Sequence, residues 1–234
     1  HTSSRRQRQM CIRDSMISYL RTYERLGLKA IPMKADTGPI GGDYSHEFLV
    51  LANTGESQVF YDKEISNLSL GEQKIDYENY SNLESIVHKF TTPYARTDET
   101  HDKDLFEKIP EARRVEGRGI EVGQIFYFGT KYSESMGAKI DLANGKRIPI
   151  EMGSHGIGVS RLVGALIEAN HDEQGIIWPA SVSPFDAVII NLKQNDQLCN
   201  EISIKIYNML KANGFDVLYD DRLDSVGAKF SSMD

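Results

Sequence analysis

A glycine-rich segment that leads directly into an apolar helical pattern constrains this chain more than any other feature. Gly153, Gly156 and Gly158 lie within six residues, and Arg161 falls in the first turns of the helix that follows. The pattern places these side chains on or beside one helical face: Ile157, Val159, Leu162, Val163, Leu166 and Ile167. Glycine lets a ligand approach the backbone, and a helix start with an arginine favours anions. The segment predicts a phosphate-bearing ligand, with plain packing as the alternative.

Two common nucleotide motifs do not fit this segment. A Walker loop would continue as Gly-Lys-Ser/Thr, which does not follow here. A dinucleotide fingerprint needs a preceding strand and a later acid, and that context is not clear in the sequence. The residues alone therefore leave the type of phosphate ligand open.

Composition limits the classes of protein to which the chain can belong. It has 234 residues, of which 40% are hydrophobic and 26% charged, as in ordinary globular proteins. It contains no apolar run long enough for a membrane span, and Cys11 and Cys199 are too few for a disulfide framework or a metal cluster. The net charge of −7 disfavours general binding of polyanions. We expect a globular protein of a reducing, cytoplasmic compartment.

Short strands alternate with occasional helices along most of the chain. The residue pattern predicts strands at 29–35, 47–52, 57–61, 121–128, 138–141 and 147–152, and helices at 17–26, 83–89 and 102–108. Asn53-Thr-Gly55 indicates a hairpin, and the polar residues 63–85 indicate mostly loop. Antiparallel strands with flanking helices are typical of an α+β domain.

A different organisation follows Trp178-Pro179. The pattern predicts a strand at 187–192, a helix at 198–212 and a strand at 215–219, which together form a βαβ unit with parallel strands. The helix is expected to face inward with Ile202, Ile206, Met209 and Leu210. Two strands and one helix cannot bury both faces of a parallel sheet. We therefore expect residues 182–234 to form a truncated domain.

Four blocks in a fixed order resemble one enzyme family. Residues 153–162 are similar to motif 3 of class II aminoacyl-tRNA synthetases, in the form carried by bacterial prolyl enzymes. The other three blocks are residues 35–48, residues 118–133, and residues 175–179 leading to 183–185. The resemblance covers roughly residues 16–234, and residues 220–222 and 227–230 resemble the start of an anticodon-binding domain. It implies a partial class II antiparallel sheet flanked by helices over 16–181, with motif 3 at 151–170, followed by a truncated α/β anticodon-binding domain over 182–234.

The resemblance also implies an activity. Prolyl enzymes of this class activate proline with ATP to prolyl-adenylate and transfer it to the 3′ end of tRNA(Pro). The implied cofactors are ATP and Mg²⁺, and the implied partners are proline, tRNA(Pro) and, in the full-length protein, a second copy in a homodimer, with no membrane. Motifs 1 and 2 have no counterpart here, so we expect a fragment that is inactive alone. Two alternatives stay open, namely a non-catalytic synthetase-like paralogue that binds tRNA or proline, and a relative that charges a related amino acid.

Residue roles follow from the resemblance. Arg161 matches the motif 3 arginine that holds the γ-phosphate of ATP, and Gly156 and Gly158 let the backbone approach the nucleotide. The implied ATP site also takes in Thr130, Lys131 and Glu121, and Glu121 is a candidate for magnesium, although a lone acid on a strand is more often solvated. No residue is assigned as an established metal ligand. The implied proline site consists of His46, Phe48, Gly153 and Ser154.

The proline site has two adjacent candidate residues on one strand. His46 and Glu47 are adjacent, so only one of them can face the pocket, and the resemblance favours His46. A histidine hydrogen-bonded within the sheet is the alternative. Phe48 is expected to wall an apolar slot for the pyrrolidine ring.

The chain departs from the family pattern at several positions. His155 stands where relatives usually have tyrosine, and Gln124 stands where many have histidine. The segment before Gly117 has no space for the large editing insertion of many bacterial prolyl enzymes, so we expect the short type. Contacts with tRNA are expected from a local basic patch, Arg113, Arg114 and Arg118, for which a solvated loop is the alternative.

The first fifteen residues do not resemble the family. Residues 10–15 look like the translation of a sequencing-library adapter, and residues 1–15 contain four arginines without a helical or strand period. We therefore expect a non-native tail and set Cys11 aside with it. A genuine basic arm that contacts tRNA is the alternative.

Overall fold

The chain divides into two compact units, His1–Ala169 and Asn170–Asp234. The computed structural model describes residues 3–42 and 44–233. Outside this description lie the terminal residues His1, Thr2 and Asp234, and also Asp43, which belongs to the family-like block at residues 35–48. The side chains of residues 3–11, and with them Cys11, also lie outside the description. Helices and antiparallel strands in the first unit confirm the expected α+β class. In the described residues, no helix is both long and apolar enough to cross a membrane.

The first helix is longer than the sequence predicted. Helix α1 spans Ser3–Arg25, whereas residues 17–26 were the expected helix and residues 1–15 were expected to have no helical period. That expectation was wrong because arginine, glutamine and methionine favour helix even without an apolar stripe. The second half of α1 anchors the helix, since Met16, Ile17, Leu20 and Tyr23 are buried there.

Five strands close into a ring around the core of the first unit. They are β1 (Ala30–Lys34), β2 (Tyr44–Leu51), β3 (Ser57–Asp62), β4 (Ala95–Thr97) and β5 (Arg114–Gly129). Strand β1 pairs with β2 and β4, β5 pairs with β2 and β3, and β3 pairs with β4. Alternate residues of these strands fill the interior, which contains Ile31, Met33, Leu49, Val59, Tyr61 and Ala95 together with Ile65.

Short helices surround the ring. They are α2 (Tyr80–Thr91), α3 (Lys103–Phe106) and α4 (Lys131–Met136), together with 3₁₀ turns at Gly38–Ile40, Lys63–Asn67, Asp98–Thr100 and Glu111–Arg113. Two of the three α-helices begin with a side-chain cap, which is Asn79 for α2 and Asp102 for α3. The hairpin of β6 (Lys139–Asp141) and β7 (Arg147–Pro149) turns at residues 142–146, as Asn144-Gly145 predicted.

The glycine-rich segment forms a strand rather than a turn. Strand β8 (Met152–Ile157) pairs antiparallel with the second half of β5 and leads into α5 (Val159–Ala169). Leu162, Ala165 and Leu166 bury the inner face of α5, whereas Val159 and Val163 are exposed. The sequence therefore predicted the helix and its inner face, but it missed that two of the glycines are strand residues.

The second unit contains the predicted parallel pair. Strands β9 (Ala187–Ile190) and β10 (Val217–Asp220) pair in parallel, with α6 (Gln197–Ala212) between them and α7 (Val226–Ser231) after them. The expected inward face of α6 was wrong, because α6 has no buried residue and Ile202, Ile206 and Met209 are all exposed. A two-stranded sheet offers too little surface to cover an amphipathic helix of this length.

Candidate functional site

Arg161 lies at the start of α5 and is held by two acidic residues. Its Nη1 donates to the backbone oxygen of Glu121 at 3.0 Å and lies 3.2 Å from Glu56 Oε1 and 3.7 Å from Glu121 Oε2. The side chain is still 52% exposed, so these contacts orient the guanidinium without removing it from solvent. Because α5 is anchored by its buried face, the arginine projects from a fixed point beside β5.

Glu121 lies on β5 in a mixed electrostatic environment. Burial raises the pKa of its carboxyl, Arg161 lowers it, and the neighbouring Glu56 raises it again. The net result is a pKa above the ordinary value. A second cation or a phosphate group entering here would therefore change the charge balance of a site that already contains two carboxylates and one guanidinium.

Strand β8 presents open backbone next to β5. Gly156 pairs with Gln124 and Ser154 with Phe126, and residues 153–156 are all exposed. A methyl group added at Gly156 would meet no atom within 4 Å, so the space above this glycine is free. A flat ligand can approach the main chain here, as the glycine pattern predicted.

Gln124 joins three strands on the same side of the sheet. Its Nε2 donates to Ser45 Oγ at 3.0 Å and to Glu47 Oε1 at 3.3 Å, while its backbone lies opposite Gly156. Burial raises the pKa of Glu47 to about 7, with further increases from Glu121 and two other acidic residues. The sequence singled out Gln124 only as a departure from the family and assigned Glu47 no role in the site. The register of β2 on β5 is what brings the two together.

His46 lies on the other side of β2 from Glu47. The residue is 7% exposed, and its ring packs against that of Tyr44 with 4.4 Å between the centroids and a 34° tilt. Burial, together with a smaller effect of the nearby Lys34, lowers the pKa of His46 to about 4. His46 is therefore a neutral, packed histidine, and the register places it apart from the strand pair that carries Gln124 and Gly156.

Phe48 is a core residue of the first unit. Its ring is fully buried and contacts the rings of Tyr19 and Tyr23 on α1, with centroid separations of 5.2 and 5.6 Å. The ring thus packs against α1, and its expected role as a wall for the pyrrolidine ring stays a prediction.

Thr130 and Lys131 lie at the far end of β5 from Glu121. Thr130 Oγ1 donates to Glu134 and Lys131 Nζ donates to the backbone oxygen of Ile40 at 2.7 Å. Nine residues of extended strand span about 30 Å. The structure therefore brings Arg161, Glu121 and Gly158 together and places Thr130 and Lys131 elsewhere.

The three arginines of the expected basic patch make internal contacts. Arg113 pairs with the buried Asp62 and with Glu64. Arg114 donates to two backbone oxygens of the preceding loop, and Arg118 donates to the backbone oxygens of Gly55 and Glu56. These bonds connect β5 to neighbouring segments, so the arginines brace the sheet whatever else they contact.

Comparison with known proteins identifies the second unit first. Residues 186–234 match the family model described as the anticodon binding domain. Over 219 residues, covering 94% of this chain, the sequence is 62% identical to "Proline--tRNA ligase" of Paracoccus denitrificans and 60% identical to that of a Ruegeria species. Over nearly its whole length, this chain is similar to part of a prolyl-tRNA synthetase. It spans about half the length of the curated relatives it matches, since the matched part is 49% of each of these proteins.

Solved structures agree with the fold expected for a prolyl-tRNA synthetase. A crystal structure of prolyl-tRNA synthetase from Cryptosporidium parvum, complexed with L-proline and AMP, matches 99% of this chain and 36% of its own, with a TM-score of 0.64 and 16% identity. A second structure of that protein, complexed with halofuginone and AMPPNP, matches 92% of this chain with a TM-score of 0.57. At this identity the likeness concerns the fold.

Proposed function

We propose that this chain provides the motif 3 part of a proline–tRNA ligase, which activates proline with ATP and transfers it to tRNA(Pro). The observation that carries the proposal is Arg161, fixed at the start of α5 beside Glu121 yet half exposed. The identity of 62% to a proline–tRNA ligase over nearly the whole chain supports the same function.

Arg161 and β8 suit complementary parts of a nucleotide. A guanidinium at a helix start binds a terminal phosphate through paired, charge-assisted hydrogen bonds. The free space above Gly156 admits a planar base or a ribose against the backbone. Positioning and electrostatic stabilisation are the main needs of a phosphoryl-activating step, so the site requires no side-chain nucleophile.

The acidic residues beside Arg161 fit the Mg²⁺ that the family implies. In the described residues there is no group of three or more side chains that could hold a metal ion by themselves. Magnesium, however, is usually bound by one or two carboxylates together with substrate phosphates. Glu121 and Glu56, whose carboxylates both lie near Nη1 of Arg161, would hold such an ion. When bound, it would neutralise phosphate charge, while Arg161 orients the terminal phosphate.

The proline subsite is proposed to use Gly153 and Ser154 as its floor, because both are exposed on β8. Glu47 and Gln124 are added to it, since Gln124 lies opposite Gly156 in β8 and its side chain donates to Glu47. His46 and Phe48 are proposed to support the subsite from behind the sheet rather than to contact proline. Thr130 and Lys131 are proposed to fix the loop at Ile40. Homodimer formation and a cytoplasmic location belong to the same proposal for the full-length protein.

The test is a chimaera with a complete relative. The matching segment of the Paracoccus denitrificans proline–tRNA ligase is replaced by this chain, and proline-dependent ATP–pyrophosphate exchange is measured. We expect activity, a loss of at least 100-fold in Arg161→Ala, and partial recovery in Arg161→Lys. The isolated chain is expected to show no exchange above its own Arg161→Ala variant.

Arg147 offers a matched control. It is an exposed arginine paired with one acidic residue, Asp141, at 3.0 Å. Arg147→Ala removes a similar surface ion pair in the β6–β7 hairpin, which makes no contact with Arg161, and should leave exchange within about twofold of the parent chimaera. Equal losses in both variants, or full activity in Arg161→Ala, would refute the assignment.

A further inference from the structure

A cleft of about 800 Å³ lies outside the site built around Arg161. It opens between β1, β2, the end of α2 and the segment from β4 to α3. Its lining includes none of the residues placed around the nucleotide, namely Arg161, Glu121, Ser154 and Gly156. The volume falls in the range of small-molecule sites, about 300–1,000 Å³.

The charge of this cleft is opposite to that of the whole chain. Among the described residues, Lys34, Arg96 and Lys108 line it with one acidic side chain, Asp36, although the chain has a net charge of −7. The ring of His46 also lines it, and the positive charge of Lys34 contributes to the lowered pKa of that ring. A concave surface with several cations concentrates anions.

Uncharged hydrogen-bonding and ring groups complete the lining. Thr37, Thr92 and Tyr44 contribute hydroxyl groups, and the rings of Tyr44 and His46 pack against each other at the wall. Arg96 is already oriented, because it donates to the backbone oxygen of Thr100 at 2.8 Å and its guanidinium lies 5.0 Å from the ring of Tyr94. Cations for a phosphate and aromatic walls for a ring are the features of a nucleotide-sized pocket.

We propose that this cleft binds a small phosphate-bearing ligand of nucleotide size, with Lys34 and Lys108 holding the phosphate and the wall formed by Tyr44 and His46 contacting the remainder. The proposal does not depend on the proposed function, because Lys34 and Lys108 take no part in the Arg161 site, although the cleft also borders Ser45, which accepts a hydrogen bond from Gln124. A ligand here would stabilise the folded first unit by binding only the folded form.

The test measures AMP binding to the chain by calorimetry, with His46 ring signals in NMR spectra as the reporter of location. We expect saturable binding, a shift of the His46 signals and an affinity about tenfold lower in Lys34→Gln and in Lys108→Gln. Both lysines are exposed, so these variants should unfold at the temperature of the parent. Adenosine, which has no phosphate, is expected to bind much more weakly.

Two control variants separate this cleft from other sites. Lys139→Gln removes an exposed lysine elsewhere and should not change AMP binding. AMP bound at the Arg161 site would be lost in Arg161→Gln, so the losses in Lys34→Gln and Lys108→Gln should persist when Arg161→Gln is also present. Absence of saturable binding, an equal loss in Lys139→Gln, or a loss confined to Arg161→Gln would each overturn the proposal.

Discussion

His46 and Glu47 are neighbours on β2 whose side chains occupy opposite sides of the strand and whose pKa values move in opposite directions. Burial lowers the pKa of the histidine to about 4 and raises the pKa of the glutamate to about 7. Burial disfavours the charged form of each group, which means a lower pKa for a base and a higher one for an acid. Both residues therefore favour their neutral forms, and they affect stability oppositely as pH changes.

Replacement of His46 tests one half of this pair. Its pKa in the folded protein lies below the ordinary 6.5, so its contribution to stability is lost as pH falls from about 6.5 towards 4. His46→Gln should reduce the acid-induced loss of unfolding free energy in this range by about 2–3 kcal/mol. Denaturant unfolding at several pH values measures it, and an unchanged slope would contradict the assignment.

Replacement of Glu47 should have the reverse effect. Its folded-state pKa is raised, so the unfolded chain loses its proton first and stability falls as pH rises from about 4.5 to about 7. Because the group is partly exposed, the effect should be on the order of 1 kcal/mol. Glu47→Gln keeps the shape and removes the charge. The parent should therefore lose unfolding free energy between pH 4.5 and pH 7.5, whereas the variant should not. A variant that follows the parent at both pH values would refute this expectation.

Two glycines on the adjacent strands β5 and β8 provide a contrast between stability and binding. A Cβ at Gly123 would lie 2.3 Å from Tyr23 Oη and 2.9 Å from the backbone oxygen of Gly156, whereas one at Gly156 would meet nothing within 4 Å. Gly123→Ala should therefore lower the unfolding free energy by about 2 kcal/mol. Gly156→Ala should leave it within about 0.5 kcal/mol and weaken ATP binding in the chimaera.

A double substitution checks the cause of the Gly123 effect. Tyr23→Phe removes the closest atom, so it should restore part of the stability lost in Gly123→Ala. Additive losses in the double variant would show that the tyrosine hydroxyl is not the source of the strain.

Substitutions of Phe48 distinguish a role in packing from a role in contacting proline. Its ring is fully buried against α1, so Phe48→Ala should destabilise the first unit by about 3–5 kcal/mol, while Tyr77→Ala, at an exposed aromatic residue, should cost less than 1 kcal/mol. In the chimaera, the milder Phe48→Leu should lower the melting temperature and leave the KM for proline unchanged. A raised KM with normal melting would instead support the substrate role that the family resemblance suggests.

Lys229 tests the second unit. It is 2% exposed, and its Nζ donates to the backbone oxygen of Asn191 at 2.5 Å. Removing a buried, charged hydrogen-bond donor costs about 1.5–3 kcal/mol of unfolding free energy. Lys229→Ala should therefore lower the melting temperature of residues 170–234. Lys205→Ala, at an exposed position of α6, is the control and should melt like the parent. Equal melting of the two variants would refute a structural role for Lys229.

Local pattern predicted those parts of the fold that depend on neighbouring residues. The positions of β2 and β3, the turn between them and the buried residues of α5 follow from local sequence pattern. The hairpin predicted at Asn53-Thr-Gly55 was wrong, because the described strand β2 pairs with β1 and β5 and does not pair with β3. Strand β5 was predicted at only half its length because its first residues, Arg114–Gly119, contain two glycines and three charged side chains. They are held in the strand by pairing with β3, which no local period records.

The site shows the same division between local and distant information. Arg161 could be located from its place at a helix start, but its contacts with Glu56 and Glu121 depend on the register of separate strands. The arrangement of Gln124 with Glu47 required the pairing of β2 with β5. Family resemblance could not distinguish which side of β2 carries the site, because His46 and Glu47 occur together in the same motif.

Ring closure leaves the sheet of the first unit with one unprotected margin. Each of β1 to β5 has neighbours on both sides, whereas β8 pairs only with β5 among the described strands. An unpaired strand margin attracts other strands, and glycines offer no side chains to block them. The feature that lets a ligand reach the backbone thus also makes β8 the place where this sheet can recruit another polypeptide, and a bound nucleotide would shield it from self-association.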